Sequence, residues 1–404
     1  MPTETIEIPT DRGHTLAGSL ELPGGLVRGA ALYAHCFTCT KQSRAAVAVT
    51  RALARHGIAC LRVDFTGLGG SGGNFGQAGF ASDVEDLLDS AEYMAGRFGE
   101  GLLLVGHSLG GAAILASAGM VAEGRIAAIA TIGAPADVPH VLGNVKGDLD
   151  AIERDGKGEV TIAGRRFVLT SRFLQRTREI DLLDEVSRIR VPLMICHAPT
   201  DNVVDIDNAG RIFLAAKHPK SFLSLAGADH LLSEDEDAEF AADVIAGWGR
   251  RYLPAPASAP APDDGVVAMT GHGKFGTELV VGTHRLLADE PRSSGGENAG
   301  PTPYDLLTAS LASCTAMTMK LYADRKAWPL DRVTVRVRHE RNHRHEGEHV
   351  EAMAGAEAIQ ALLRDILIEG DLDDSQRARL MEIADRCPVH RTLEGDLHIH
   401  TSPA

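Results

Sequence analysis

Up to residue 253, short runs of nearly unbroken apolar character alternate with longer amphipathic stretches. GAALYAH, GIACLRVDF, GLLLVGH, IAAIATIG, VPLMICHA and SFLSLAG are apolar at almost every position, the pattern of strands covered on both faces. Between them, SRAAVAVTRALARHG and ASDVEDLLDSAEYMAGRFG carry apolar residues at helical spacing. Such alternation predicts a doubly wound, mostly parallel sheet. TIEIPT and HTLAGSLEL alternate apolar with polar positions and predict an antiparallel hairpin at the sheet edge. The rhythm breaks between about 135 and 191, where a hairpin (EVTIAGRRFVLT) and a helix (LLDEVSRI) predict a small cap above the sheet.

The run Pro254-Ala255-Pro256-Ala257-Ser258-Ala259-Pro260-Ala261-Pro262-Asp263-Asp264 cannot bury a core and predicts an extended linker over 254–264. It separates a domain at 1–253 from one at 265–404. In the second, GVVAMTG, TELVVG, THRLLADE, VTVRVRHE and GDLHIHT predict strands around a long helix from about Tyr304 to Lys326, an α+β pattern. On that helix Leu307, Leu311, Cys314, Met317 and Leu321 fall on one face. IQALLRDILIEGDL fits helix and strand equally by periodicity.

A formal charge of −15 argues against a nucleic-acid partner, which calls for a basic face. The N-terminus lacks a basic start followed by an apolar run, and no stretch of about 18 apolar residues offers a membrane span. Six cysteines are sparse for this length and fit a reducing cytoplasm, where they serve as core filler or reactive thiols.

The chemistry centres on Gly106-His107-Ser108-Leu109-Gly110. A strand-like run leads into this G-x-S-x-G pattern and a helix-like AAILASAG follows, the context in which a serine sits exposed on a tight strand-to-helix turn. Such a hydroxyl needs a base, and the base an orienting acid. Asp201 follows VPLMICH and His230 follows SFLSLAG, in acid-then-histidine order. His107, His197 and His218 compete for the base, and Asp205 and Asp207 for the acid. The N–H groups of Leu109 and Phe37 would form the oxyanion hole. At these residues the chain resembles the α/β-hydrolase superfamily across most of 1–253, with Cys36 where many members carry glycine. Cys36 and Cys39 form a C-x-x-C beside the site. The plainer reading is two small residues packed under the oxyanion loop; the sharper one is a disulfide switch that displaces the Phe37 N–H on oxidation.

GGENAGPTPYDLLTASLASCTAM and CPVHRTLEG resemble the OsmC family, the osmotically inducible and organic-hydroperoxide-resistance proteins, across 265–404. From the residues alone, Cys387 at a helix N-cap is a stabilised thiol and Cys314 could be an ordinary core cysteine. The resemblance implies an intertwined dimer in which Cys314 attacks a peroxide, Cys387 resolves it, and a dithiol reduces the disulfide. Tyr304 stands where hydroperoxide-resistance members carry glutamate, with Asp305 beside it, and Lys274 stands near the place of their arginine. His339, His343, His345 and His349 match no strong ligand spacing and predict a solvated hairpin rather than a metal site.

Taken whole, the chain resembles the fused hydrolase–OsmC proteins of bacteria. The resemblance and the motif together imply an acyl-ester hydrolase that needs no cofactor or metal and acts on a small acyl ester. The OsmC resemblance also implies a homodimer through the C-terminal domain, while the sparse cysteines, the acidic charge and the lack of an apolar span predict a cytoplasmic location and no nucleic-acid or membrane partner. For the C-terminal half, peroxidase and dimerisation scaffold both stay open.

Overall fold

A computed structural model describes residues 1–122, 124–162, 164–254, 265–341 and 360–403. One compact unit takes in Met1–Leu287 and Pro291–Ala299, the other Ala288–Glu290 and Gly300–Ala404.

The first unit opens with β1 (Thr3–Pro9), β2 (Thr15–Glu21), β3 (Gly29–Ala34), α1 (Arg44–Arg55) and β4 (Ile58–Val63). Then come α2 (Phe75–Ala78), α3 (Phe80–Phe98), β5 (Leu102–His107), α4 (Leu109–Ser117) and β6 (Ile126–Ile132). The segment above the sheet holds β7 (Val145–Lys146), α5 (Leu149–Asp155), β8 (Lys157–Ile162), β9 (Arg165–Thr170), α6 (Ser171–Arg178) and α7 (Leu182–Arg188). The body closes with β10 (Leu193–His197), α8 (Asp207–Ala215), β11 (Lys220–Ser224) and α9 (Asp235–Gly249). Eight strands form one sheet in the order β1-β2-β4-β3-β5-β6-β10-β11. The expected edge hairpin is present: β1 pairs antiparallel with β2, and β2 with β4, while β4, β3, β5, β6, β10 and β11 run parallel.

The unbroken apolar runs serve two cores. Along β3, Leu32 and Ala34 face one cluster, which also takes Leu104 and Ile129 with residues of α3, α4 and the cap. Ala31 and Tyr33 face the other, with Val105, Ala130 and residues of α1 and α9. Burying each leucine in full contributes about 1.5–3 kcal/mol, and here both faces of each central strand contribute. The cap carries its own three-stranded sheet, β7-β8-β9.

Three further strands, β12 (Val266–Thr270), β13 (Thr277–Val281) and β14 (His284–Ala288), form a small sheet. Glu278 on β13 is buried, pairs with Arg28 and Arg285, and accepts the Leu26 N–H. A buried carboxylate requires such partners, and this cluster keeps the strands with the first unit. The compact division therefore falls after Leu287, later than the boundary expected at the Pro/Ala run, whose residues 255–264 lie outside the described ones.

The second unit pairs β15 (Leu330–Arg341) antiparallel with β16 (Gln360–Gly370) beside α10 (Pro303–Arg325), α11 (Asp374–Ala384) and α12 (Pro388–Glu394). The run that fitted helix and strand equally is thus a strand, because β15 offers it a full-length hydrogen-bonding edge. GDLHIHT is not a strand: no neighbour pairs with it among the described residues, and Leu397 and Ile399 are exposed. The buried face of α10 also differs from the expected one. Leu311, Thr315, Met319 and Ala323, spaced by four, go inward, while Met317 and Leu321 stay exposed. Of the histidine cluster, His343, His345 and His349 lie outside the described residues. Among the described residues no group of three or more metal-ligating side chains occurs, and no helix is long and apolar enough to cross a membrane.

Candidate active site

The strand order sets the site. β5, β6, β10 and β11 are successive neighbours, so the loops after β5, β10 and β11 meet at one end of the sheet, as ligand sites in open parallel sheets do. Ser108 follows β5 directly, with φ 54° and ψ −124°, a conformation that costs a non-glycine residue on the order of 1–3 kcal/mol. The flanking glycines permit the turn. A Cβ on Gly106 would lie 2.6 Å from the Gly110 carbonyl oxygen, and one on Gly110 would lie 2.4 Å from the carbonyl oxygens of Ala34 and His35.

The loop after β11 brings His230 Nε2 to 3.0 Å from Ser108 Oγ, and its Nδ1 lies 2.7 Å from Asp201 Oδ2 in the loop after β10. All three side chains are buried or nearly so. Burial alone would raise the Asp201 carboxyl. The His230 bond and the N–H groups of Val204 and Val203, each 2.9 Å from Oδ1, outweigh it and hold the group below the usual carboxylate range. An ionised Asp201 fixes the proton on Nδ1 and leaves Nε2 free to accept from the serine.

Of the rival residues, His197 and His107 lie beside the trio, His197 Nε2 3.6 Å from Asp201 Oδ2, but their closest bonds are to backbone carbonyls. His197 Nε2 lies 2.8 Å from the Val204 carbonyl oxygen. Asp205 Oδ1 accepts the Asp207 N–H, so both belong to the start of α8. His107 Nε2 lies 2.7 Å from the His230 carbonyl oxygen.

β3 pairs with β5, Ala34 opposite Gly106, so the loop after β3 lies beside the serine turn. Phe37 and Leu109 both line a cavity of about 570 Å³ that also takes in Ser108 and His230. Among the described residues neither N–H has a partner. The loop is closed on itself. Cys36 and Cys39 are joined by a disulfide with Cα atoms 5.3 Å apart, and the Cys39 N–H donates to the Cys36 carbonyl. The pair is therefore bonded, not two free thiols packed side by side. Buried Asp64 accepts the Lys41 and Gly70 N–H groups, joining this loop to the glycine-rich loop after β4. Arg165 on β9 donates to the Thr38 carbonyl at 3.0 Å. Sequence reasoning missed the cap residues Lys146 and Arg165 in the cavity wall, since nothing local points a cap hairpin at a loop more than a hundred residues earlier.

In the second unit Cys387 is buried and caps α12, its Sγ accepting the His390 N–H at 3.3 Å. Burial works to raise this thiol, but the His390 N–H, the Thr315 hydroxyl, the Cys314 thiol and the charge of Arg364 together lower it. Arg364 Nη1 donates to Thr315 Oγ1 at 3.1 Å, and Nη2 pairs with Asp385 at 2.5 Å. The cation beside the thiols thus comes from β16. Reading 360–370 as a strand would have put Arg364 in view as a polar residue in an apolar alternation.

The family model described as "Alpha/beta hydrolase family" matches residues 26–244, and the one described as "OsmC-like protein" matches 295–402. The esterase domain of a Rhodothermus marinus protein is 42% identical, covering 63% of this chain and all of that domain with a TM-score of 0.52. Est1E of Butyrivibrio proteoclasticus, at 22% identity over 61% of this chain and 98% of its own, shares the fold with a TM-score of 0.53. The uncharacterized protein YfhR of Salmonella typhi is 28% identical over 171 residues, 42% of this chain and 53% of its own length. The chain spans about half the length of the curated relatives it matches.

Proposed function

Because this chain belongs to the alpha/beta hydrolase family and carries an OsmC-like segment, we propose that it hydrolyses carboxylic esters with Ser108 as nucleophile, His230 as base and Asp201 as orienting acid. The single observation that carries this reading is His230, bonded to Ser108 on one ring nitrogen and to Asp201 on the other. The 42% identity to an esterase domain supports the ester as substrate.

Ser108 Oγ adds to the ester carbonyl while His230 Nε2 takes its proton. The N–H groups of Phe37 and Leu109 hold the resulting oxyanion. Collapse expels the alcohol, which leaves with the proton from His230. Water then adds to the acyl-enzyme by the same route, and the acid departs. In the full chain, Ser108→Ala should lower turnover of a model p-nitrophenyl ester by about 10⁶-fold. Activity close to wild type would refute the reading.

A second reading rests on Arg364 and the hydrogen bonds around Cys387: thiol-dependent reduction of an organic hydroperoxide. The Cys314 sulfur attacks the peroxide, the O–O bond breaks and an alcohol leaves, giving a sulfenic acid. Cys387 displaces water from it to form a disulfide, which an external dithiol reduces. Intact-mass analysis after hydroperoxide, with free thiols alkylated, should find this disulfide in the full chain and find it forming more slowly in Arg364→Gln. Two reduced thiols would instead make this half a scaffold. A homodimer through the C-terminal half belongs to the same proposal, and a monomer by light scattering at micromolar concentration would count against it.

A further inference from the structure

The protein as a whole is acidic, with 55 Asp and Glu against 40 Lys and Arg. The wall of the Ser108 cavity reverses that balance. Among the described residues its formally charged ones are Lys146 and Arg165, and no carboxylate lines it. Asp201 lies behind His230, with its side chain almost wholly buried. Much of the remaining wall is apolar, including Phe37, Leu109, Pro135, Ile162 and Leu231. Neither cation pairs with a carboxylate among the described residues.

Arg165 is also held in place. One of its nitrogens donates to the Thr38 carbonyl, next to Phe37, and its guanidinium lies over the Phe167 ring at 5.2 Å. Among the described residues the remaining N–H donors of the fork have no partner. A guanidinium beside an apolar wall, with donors to spare, is suited to a planar anion. A neutral ester would leave both cations unmatched.

Resting on the serine-hydrolase reading above, we propose that this cavity selects esters that carry a carboxylate a few bonds from the scissile carbonyl, with Arg165 and Lys146 as the residues that recognise it. The ligand has an apolar body, which fills the wall, and one anionic end. The carboxylate takes no part in the bond changes; it sets which esters are held in place for Ser108.

Two matched pairs of substrates test this on the full chain. The p-nitrophenyl half-ester of glutaric acid is compared with p-nitrophenyl hexanoate, placing the charge on the acyl side. 4-Butanoyloxybenzoate is compared with its methyl ester, placing the charge on the leaving group. In at least one pair the charged ester should have a kcat/KM higher by about tenfold, shrinking as salt is added. Arg165→Gln/Lys146→Gln should bring that ratio to near one, and Arg165→Lys should keep part of it. A ratio near one in both pairs for the wild type, or a ratio unchanged in the double variant, overturns the proposal. So does an Arg165→Gln protein that slows both members of a pair equally, which would make Arg165 a support for Thr38 alone. If the wild type hydrolyses no member of either pair, the ester-hydrolase reading has failed instead. Calorimetry on Ser108→Ala then decides selectivity by itself: tighter binding of the charged members supports it, and equal binding refutes it.

Discussion

His107 Nε2 lies 2.7 Å from the backbone carbonyl oxygen of His230, so the residue before Ser108 anchors the loop that carries His230, the proposed base. Burial, and then the neighbouring His230, push the His107 imidazole down to about 4. At neutral pH it is therefore uncharged, and Nε2–H donates. If His230 is the base as proposed, His107 positions it rather than replacing it. His107→Ala should lower kcat roughly 10²-fold with little change in KM, because a small shift of the base is costly in the transition state. His107→Gln, which can return an N–H to the same carbonyl, should recover most of it. Steady-state kinetics of both variants check this, and an unchanged kcat in His107→Ala would refute it.

Asp201 accepts the Val203 and Val204 N–H groups on one oxygen and His230 on the other. Asp201→Asn keeps an acceptor for the backbone, so the loop should fold as before. The amide no longer holds the proton on Nδ1, so kcat should fall by roughly 10³–10⁴-fold. Thermal denaturation close to wild type alongside that loss distinguishes a catalytic defect from a folding one; retained kcat would remove Asp201 from the mechanism.

The Cys36–Cys39 disulfide closes the loop that carries Phe37, and Phe37 lines the cavity with Ser108 in that bonded state. Opening that bond, rather than forming it, is therefore the change expected to disturb the Phe37 N–H. Treatment with a dithiol should slow ester turnover, by up to about 10²-fold if the oxyanion donor is lost. Cys36→Ser/Cys39→Ser should be insensitive to the reductant. Equal rates for the wild type before and after reduction, with thiol titration confirming the opened bond, would count against this.

Asp86 is buried and accepts the Thr66 N–H and hydroxyl at 2.7 and 2.8 Å, with Arg12 at 2.8 Å. Burial outweighs these partners and pushes its carboxyl up to about 6. The folded state then binds this proton more tightly than the unfolded chain. The contribution is fully present below the unfolded carboxyl range and is lost as pH rises through about 6. It amounts to roughly 3 kcal/mol. Urea denaturation at stepped pH should show stability falling over this window, and Asp86→Asn should flatten the fall. The same slope in both proteins would refute the assignment.

The sequence alone determined which residues could form strands and where the serine turn would fall, because both follow from local pattern. Five of the six apolar runs are covered on both faces, while the sixth became the edge strand β11 and leaves Phe222 exposed; Gly106 and Gly110 mark a turn with no room for a Cβ at either position. The acid-then-histidine order followed too, since loops after parallel strands share one end of the sheet. Tertiary structure decided what depends on partners distant in the chain. The run at 360–370 became a strand only because β15 lay beside it, which brought Arg364 to the thiols, while GDLHIHT had no edge to join. His107 found its partner in a carbonyl 123 residues away, and Arg165 reached the loop that carries Phe37 across 127. A hydrogen bond has no signature in a sequence until both of its ends are placed.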